Sequence, residues 1–149
     1  MSHVTTIDIV IKDLDALRKA CEECGLEFVE GQTTFKWFGK FMNDSPVPEG
    51  YSPADYGKCE HAIKVPGNKQ AYEIGVVQNK KTEGWSLLFD SWNGGYGLMA
   101  KAGAQCGKLT QEYSKAVVKK KLKPVLMKGF KLKQKAGENG AIVLHLRRG

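Results

Sequence analysis

Residues 4–11 partly alternate. Val4, Ile7, Ile9 and Ile11 are apolar, with Thr5, Asp8 and Val10 among them, which predicts a strand. Leu14, Leu17, Cys21 and Cys24 then recur at spacings of three and four, one face of a helix. Asp13 stands where a carboxylate can accept from the first-turn N–H groups, and Gly25 stands where such a helix stops. Residues 26–37 read as one or two strands interrupted near Gly31. Three further strands follow as an antiparallel meander: 61–65, 71–77 and 85–92, with turns at Pro66-Gly67-Asn68 and at 80–84. Gly94-Gly95-Tyr96-Gly97 reads as a flexible turn that releases the chain.

The period changes again after Lys108. Leu109, Tyr113, Ala116 and Val117 mark a helical stripe, and Lys115, Lys119, Lys120 and Lys121 lie largely off it. Pro124 lacks an N–H, so a break is expected there, with Val125, Leu126 and Met127 in a second short turn. Phe130 and Leu132 alternate with Lys131, Lys133 and Lys135. Gly137-Glu138-Asn139-Gly140 supplies hairpin chemistry, and Ile142, Leu144 and Leu146 form one face of a closing strand. The order β-α-β, β-meander, α-β-β predicts a single α+β domain over residues 1–149. Its core would be one antiparallel sheet with two main helices packed on one side. Residues 38–58 break the periodicity with Gly39, Pro46, Pro48, Gly50, Pro53 and Gly57. A loop this long is often functional, and Phe41, Tyr51 and Tyr56 suggest that it packs down on the body.

Charge sharpens this picture. Residues 1–107 carry 11 Lys/Arg and 14 Asp/Glu; residues 108–149 carry 12 Lys/Arg and only Glu112 and Glu138 as acids. The whole formal excess of +7 therefore lies at the C-terminal end, which points to an anionic partner there. The basic helix and strand over 108–135 place Lys108, Lys115, Lys119, Lys120, Lys121, Lys123, Lys128, Lys131, Lys133 and Lys135 close in sequence. Such a cluster neutralises phosphate without reading sequence, and it is also what a solvated helix face looks like. Few arginines and few aromatics accompany it, so base-specific readout is not indicated.

The composition, 42% hydrophobic and 26% charged, is that of a soluble globular chain. No apolar run is long enough for a membrane span. Residues 1–5 lack the basic and apolar stretches of a signal peptide, and four cysteines suit reduced thiols, so a cytoplasmic location is expected.

Three other groups of residues could carry chemistry. Cys21 and Cys24, with Cys59 and His61, have ligand types for a tetrahedral zinc. The first two also continue the Leu14–Leu17 stripe, where free cysteine acts as a small core hydrophobe. If residues 59–63 are extended, Cys59 and His61 share a face as a thiol–imidazole pair, but no acid or oxyanion arrangement accompanies them. Trp37, Tyr51, Trp85, Trp92 and Tyr96 could line a pocket under the 38–58 loop, or serve as core. The glycine run after Trp92 lacks the spacing and lysine of a phosphate loop. No serine–histidine–aspartate order or paired-carboxylate motif appears. The reading leans away from an enzyme, and no cofactor or metal is implied.

Several pieces together carry a resemblance. They are Met1-Ser2-His3 and the strand after it; Trp37-Phe38-Gly39; Pro48-Glu49-Gly50; Gly57-Lys58-Cys59-Glu60-His61-Ala62-Ile63; Tyr72-Glu73-Ile74-Gly75-Val76-Val77; Phe89-Asp90-Ser91-Trp92; Leu109-Thr110-Gln111-Glu112-Tyr113; Gly129-Phe130; and Asn139-Gly140. In this order they resemble a domain of unknown function found in small proteins of cyanobacteria, plastids, bacteria and tailed phages, called in plastids a hypothetical chloroplast reading frame. Members often sit beside an ATPase of the AAA class, so the resemblance implies an accessory role. The lysine-dense helix and the residues around Pro124 depart from that family.

The expectation is a non-enzymatic protein that binds a phosphate-bearing ligand, nucleic acid or nucleotide, through the lysines of 108–135. The central aromatics would stack a base. For a phage protein, sequestering a host signalling nucleotide fits such a binder. The alternative is an adaptor or assembly protein, an oligomer among the options, docking on an acidic partner such as the AAA-class ATPase.

Overall fold

The computed structural model describes residues 4–7, 9–39, 47–126, 130–136 and 142–148, with side chains described through residue 124. Residues 1–3, Phe41, Pro46, Met127, Lys128, Gly129 and the turn at 137–140, all used above, lie outside the described residues. Along the chain the elements are β1 (Val4–Thr6), α1 (Leu14–Cys24), β2 (Glu27–Glu30), β3 (His61–Lys64), β4 (Ile74–Gln78), β5 (Trp85–Asp90), α2 (Leu98–Ala102), α3 (Gly107–Leu126), β6 (Phe130–Ala136) and β7 (Ile142–Arg148). The fold is α+β. Strands β1 to β5 make one antiparallel sheet in the order β1-β5-β4-β3-β2, while β6 and β7 pair with each other as a two-stranded sheet.

The meander β3-β4-β5 is the centre of the sheet, and both edges come from the N-terminal β-α-β unit. β1 pairs with β5 (Val4 opposite Asp90) and β2 with β3 (Phe28 opposite Ile63). Helix α1 therefore connects opposite edges. Its 11 residues span about 16 Å, close to the roughly 19 Å across four strand spacings. Asp13 caps it as expected, its Oδ1 accepting from Ala16 N–H at 3.1 Å. Gly25 ends it at φ 73°, a conformation in which its missing Cβ avoids a clash.

Alternation along the central strands gives the sheet two buried faces. Ile63, Ile74, Val76, Leu87 and Phe89 pack under Leu17, Ala20, Cys21, Leu109 and Tyr113 of the helices. Ala62, Val77 and Leu88, one position out of phase, pack with Val4, Phe35, Tyr56 and Cys59. The second layer is irregular chain around Phe35 and Trp37 and, from the described part of the 38–58 loop, Val47, Tyr51 and Tyr56, which pack on the body. One strand position has no side chain for a reason. A Cβ on Gly75 would lie 2.4 Å from the Phe35 ring, so glycine lets that ring approach the strand backbone closely.

Two stretches differ from the sequence reading. Helix α3 runs through Pro124 to Leu126 without the expected break. Pro124 stands in the final turn, where its missing N–H costs one helical bond just before the chain leaves the helix. After β5 the chain forms a left-handed turn. Asn93, Gly94, Gly95 and Tyr96 all have φ between 51° and 65°. Asn93 and Tyr96 carry side chains into this region, which is costly for L-residues. The turn is tethered, with Tyr72 N–H donating to Gly95 O at 2.8 Å and Asn68 Nδ2 to Tyr96 O at 3.2 Å.

The Gly75–Phe35 contact makes a direct test. Gly75→Ala is expected to destabilise the chain by about 1–3 kcal/mol, the usual cost of overpacking a closed site. A chemical-denaturation midpoint unchanged from that of the parent chain would show that the Phe35 layer yields.

Candidate phosphate-binding surface

Helix α3 sorts its lysines by the 3.6-residue period. Leu109 and Tyr113 face the core, fully or almost fully buried. Lys108, Lys115, Lys119 and Lys123, spaced seven, four and four apart, fall on one flank, with Glu112 in the same row. Lys120 sits a step round toward the start of α1, and Lys121 lies on the far side. Lys108, Lys119, Lys120, Lys121 and Lys123 are exposed, while Lys115 is half-buried.

The flank is not surrounded by solvent alone. It borders a groove of about 710 Å³ between α1 and α3, whose opposite wall carries Asp15, Glu22 and Glu23 beside Arg18 and Lys19. Two of the lysines are engaged. Lys115 Nζ lies 3.3 Å from Glu112 Oε1, and Lys120 Nζ lies 2.8 Å from Asp13 Oδ2. Asp13 therefore does two jobs, capping α1 and holding α3. The Tyr113 hydroxyl joins the same seam by accepting from Lys12 N–H at 2.9 Å and Asp13 N–H at 3.3 Å. The Lys120 hydrogen bond, aided by the Ala16 N–H, holds the Asp13 carboxyl below its ordinary range. Part of the charge asymmetry along the chain is thus internal complementarity between α1 and α3. Lys108, Lys119, Lys121 and Lys123 are left with no ion-pair partner among the described residues.

Lys131 and Lys133 stand in β6, opposite Arg147 and His145 of β7. Arg147 was not singled out in the sequence, because only the hairpin register places it beside Lys131. Neither strand contains Asp or Glu.

The aromatic residues do not gather into one pocket. Trp37 and Tyr51 pack against the cluster of Val4, Phe35, Tyr56, Cys59, Ala62, Val77 and Leu88. There the Trp37 ring meets Tyr56 edge-on at 5.1 Å, and Lys80 Nζ stands 5.5 Å from the Tyr51 ring centre. Trp85 lies on the opposite face, against His61 at 5.2 Å. Trp92 and Tyr96 are at the end of β5, where Tyr96, 42% exposed, meets Tyr72 edge-on at 5.1 Å. Trp37 and Tyr51 pack with the irregular segments on one face of the sheet and Trp85 with the helix-side face, so the sheet itself separates them.

A functional-looking residue that the sequence reading passed over is Asp90. It is fully buried, and its carboxylate accepts from Phe38 N–H and Trp92 N–H, each at 3.0 Å. It fastens the entry of the long loop to the exit of β5. Its signal was a lone carboxylate ending the apolar run Leu87-Leu88-Phe89.

The four cysteines fall into two separate clusters. Cys21 and Cys24 join Cys106 in the helix-side core, whereas Cys59 belongs to the loop-side cluster. The His61 ring instead lies tilted against Phe28 and Trp85, and its Nδ1 accepts from Gly31 N–H at 3.0 Å. Residues 59 and 60 precede the strand, so Cys59 and His61 do not share a face. Among the described residues no three His, Cys, Asp or Glu side chains gather to hold a metal ion. Burial pushes the Cys21 and Cys59 thiols up to about 12 and raises Cys24 and Cys106 as well. These are not activated thiols.

Among the described residues no helix is long and apolar enough to cross a membrane. No family model, curated protein or solved structure matches the chain.

Two outcomes are expected from this geometry. Asp13→Ala loses the α1 cap, worth about 1 kcal/mol, together with the Lys120 pair. Because the folded carboxyl titrates below its unfolded value, its contribution is complete above the unfolded value of about 4 and fades as pH falls through the folded one. The stability gap between the parent chain and Asp13→Ala, measured by urea unfolding, should therefore shrink on acidification below about pH 4; a gap independent of pH would exclude the ionised pair. Second, a disulfide-exchange reagent at about pH 8 should titrate the four cysteines only after denaturation. Rapid reaction of Cys59 in the native chain would contradict its burial.

Proposed function

We propose that the chain is a non-enzymatic binding protein for a phosphate-bearing ligand, nucleic acid or nucleotide, engaged by its C-terminal lysines. The observation that carries this reading is the surplus left after internal pairing. Lys108, Lys119, Lys121 and Lys123 are exposed along α3, none in an ion pair among the described residues. The acid-free strands β6 and β7 add further cations.

Lysine presents a compact point charge that suits phosphate oxygens and carries no directional demand. Binding by several lysines releases counterions from a polyanion, so affinity falls steeply with salt and depends little on sequence. Lys115 and Lys120 contribute less than their positions in the sequence suggest. Each is held by a carboxylate that a ligand phosphate must displace. The raised proton affinity of Lys120, caused first by its hydrogen bond to Asp13, keeps that lysine charged in its structural role.

Fluorescence anisotropy with labelled nucleic acid and labelled nucleotide tests the reading. For roughly four phosphate contacts, affinity should drop about 100-fold between about 50 and about 200 mM salt. The triple change Lys119→Gln, Lys121→Gln, Lys123→Gln should weaken binding about tenfold or more and flatten the salt dependence. Absence of any binding at low salt would sink the proposal.

A further inference from the structure

Tyr96 occupies a position that its own chemistry resists. The left-handed run after β5 consists of Asn93, Gly94, Gly95 and Tyr96, and Gly97 follows at φ 113°. Glycine takes positive φ freely and asparagine tolerates it, whereas a large side chain does so at a cost. Tyr96 nonetheless stands at φ 54°. The core does not require it there. Its side chain is 42% exposed, more than any other large hydrophobic among the described residues, and its ring meets Tyr72 edge-on at 5.1 Å. Strain kept where the core gains nothing clusters at functional positions.

The ring is also held in place. Tyr72 N–H donates to Gly95 O at 2.8 Å and Asn68 Nδ2 to Tyr96 O at 3.2 Å, so the carbonyls on both sides of the Tyr96 Cα are fixed. Gly95 itself packs closely, since a Cβ there would lie 2.9 Å from the Leu98 Cβ and 3.5 Å from Asp90 O. An exposed aromatic side chain on a fixed backbone offers contact area with little entropy to lose on binding.

The surroundings select the ligand. The turn with α2, residues 91–107, and the segment that tethers it, residues 66–72, contain no Asp or Glu. The acids that border them, Asp90 and Glu73, each already accept two N–H groups. Lys69, next to Asn68, is exposed and has no ion-pair partner among the described residues. The same holds for Lys101 of α2 and Lys108 at the start of α3. The two helices abut, because a Cβ on Gly103, which caps α2, would lie 2.6 Å from Lys108 N. The basic surface assigned to α3 therefore continues through α2 to the turn that carries Tyr96. Protein–protein interfaces are depleted of lysine, whereas an aromatic ring among lysines is what a nucleic-acid stacking platform needs. Bases in a duplex are already stacked on one another, so such a ring meets the face of an unpaired base.

We propose that Tyr96 is a stacking platform for an unpaired nucleobase, and that the ligand of the basic surface is a single-stranded nucleic acid whose phosphates meet Lys69, Lys101 and Lys108. This inference rests on the phosphate-binding reading above and names its ligand. Every base has a π-face, so stacking brings little sequence preference. The lysines set the salt dependence, and the ring sets the preference for unpaired bases.

The test titrates the full chain with three probes: oligothymidylate of about 12 nucleotides, a duplex of the same length, and inorganic polyphosphate, which carries the charge and no base. The single strand should bind about tenfold tighter than the duplex. A duplex has the denser charge, so that preference cannot come from the lysines alone. It is read on the unaltered chain and does not depend on how a variant folds. Tyr96→Gly removes the ring and suits the left-handed backbone, so the fold is retained. It should weaken oligothymidylate binding about tenfold while affinity for polyphosphate stays unchanged, and Tyr96→Phe, which keeps the ring, should bind nearly as the parent does. A purely structural role for Tyr96 would not separate the two probes. Duplex bound as tightly as single strand overturns the stacking platform and leaves phosphate binding intact. So does a Tyr96→Gly chain that binds oligothymidylate as the parent does, or that loses both probes equally. A labelled nucleotide bound while oligothymidylate is not overturns the single-strand assignment alone. No binding of any probe or nucleotide at low salt overturns both readings.

Discussion

The structure depends on strands β4 and β5 being buried on both faces. Ile74, Val76, Leu87 and Phe89 need one cover, and Val77 and Leu88 need another. An antiparallel sheet often leaves one side to water, but this one cannot. The helices supply the first cover through an ordinary amphipathic stripe. The second is an irregular segment, which has to satisfy its own backbone while presenting Phe35, Trp37, Tyr51 and Tyr56 inward. Two devices make that workable. Gly75 leaves room for the Phe35 ring, and the buried Asp90 accepts N–H groups from both Phe38 and Trp92.

The helix layer has its own organising point at Asp13. One carboxylate accepts the first-turn N–H of α1 and the ammonium of Lys120, while the Tyr113 hydroxyl accepts the two backbone N–H groups just before the helix. The acidic wall of α1 and the basic flank of α3 follow from that seam. The charge asymmetry that stands out in the sequence is therefore read differently in space. Some of it is spent aligning two helices, and only the remainder faces outward.

Local signals were legible and non-local ones were not. The Asp13 cap, the Gly25 stop and the apolar face of α3 are each set by neighbours in sequence and stand where their patterns placed them, and the meander strands are found with shifted ends, β4 starting at Ile74 and not at residue 71. The pairing of β1 with β5 joins residues about 85 apart. No local pattern encodes that choice. The aromatic residues were misleading for a related reason. Trp37 and Trp85 share composition but differ in face, and a face is known only once strand phase and loop path are known. Pro124 was over-read because its effect depends on how much helix follows it. Asp90 was under-read because its partners, Phe38 and Trp92, come from two separate segments. The basic surface was legible as a lysine cluster. Which lysines remain available was not, since Asp13 lies 107 residues from Lys120.

The edges of the five-stranded sheet have a consequence for the chain in a crowded solution. β1 offers only three residues, and β2 offers four with exposed Glu27 and Glu30 at its ends. A strand arriving from another molecule finds either too short a template or a charge at each end of it. Lysine at every second position of β6 blunts that hairpin in the same way. Both edges of the five-stranded sheet are thereby poor templates for pairing with a neighbouring chain.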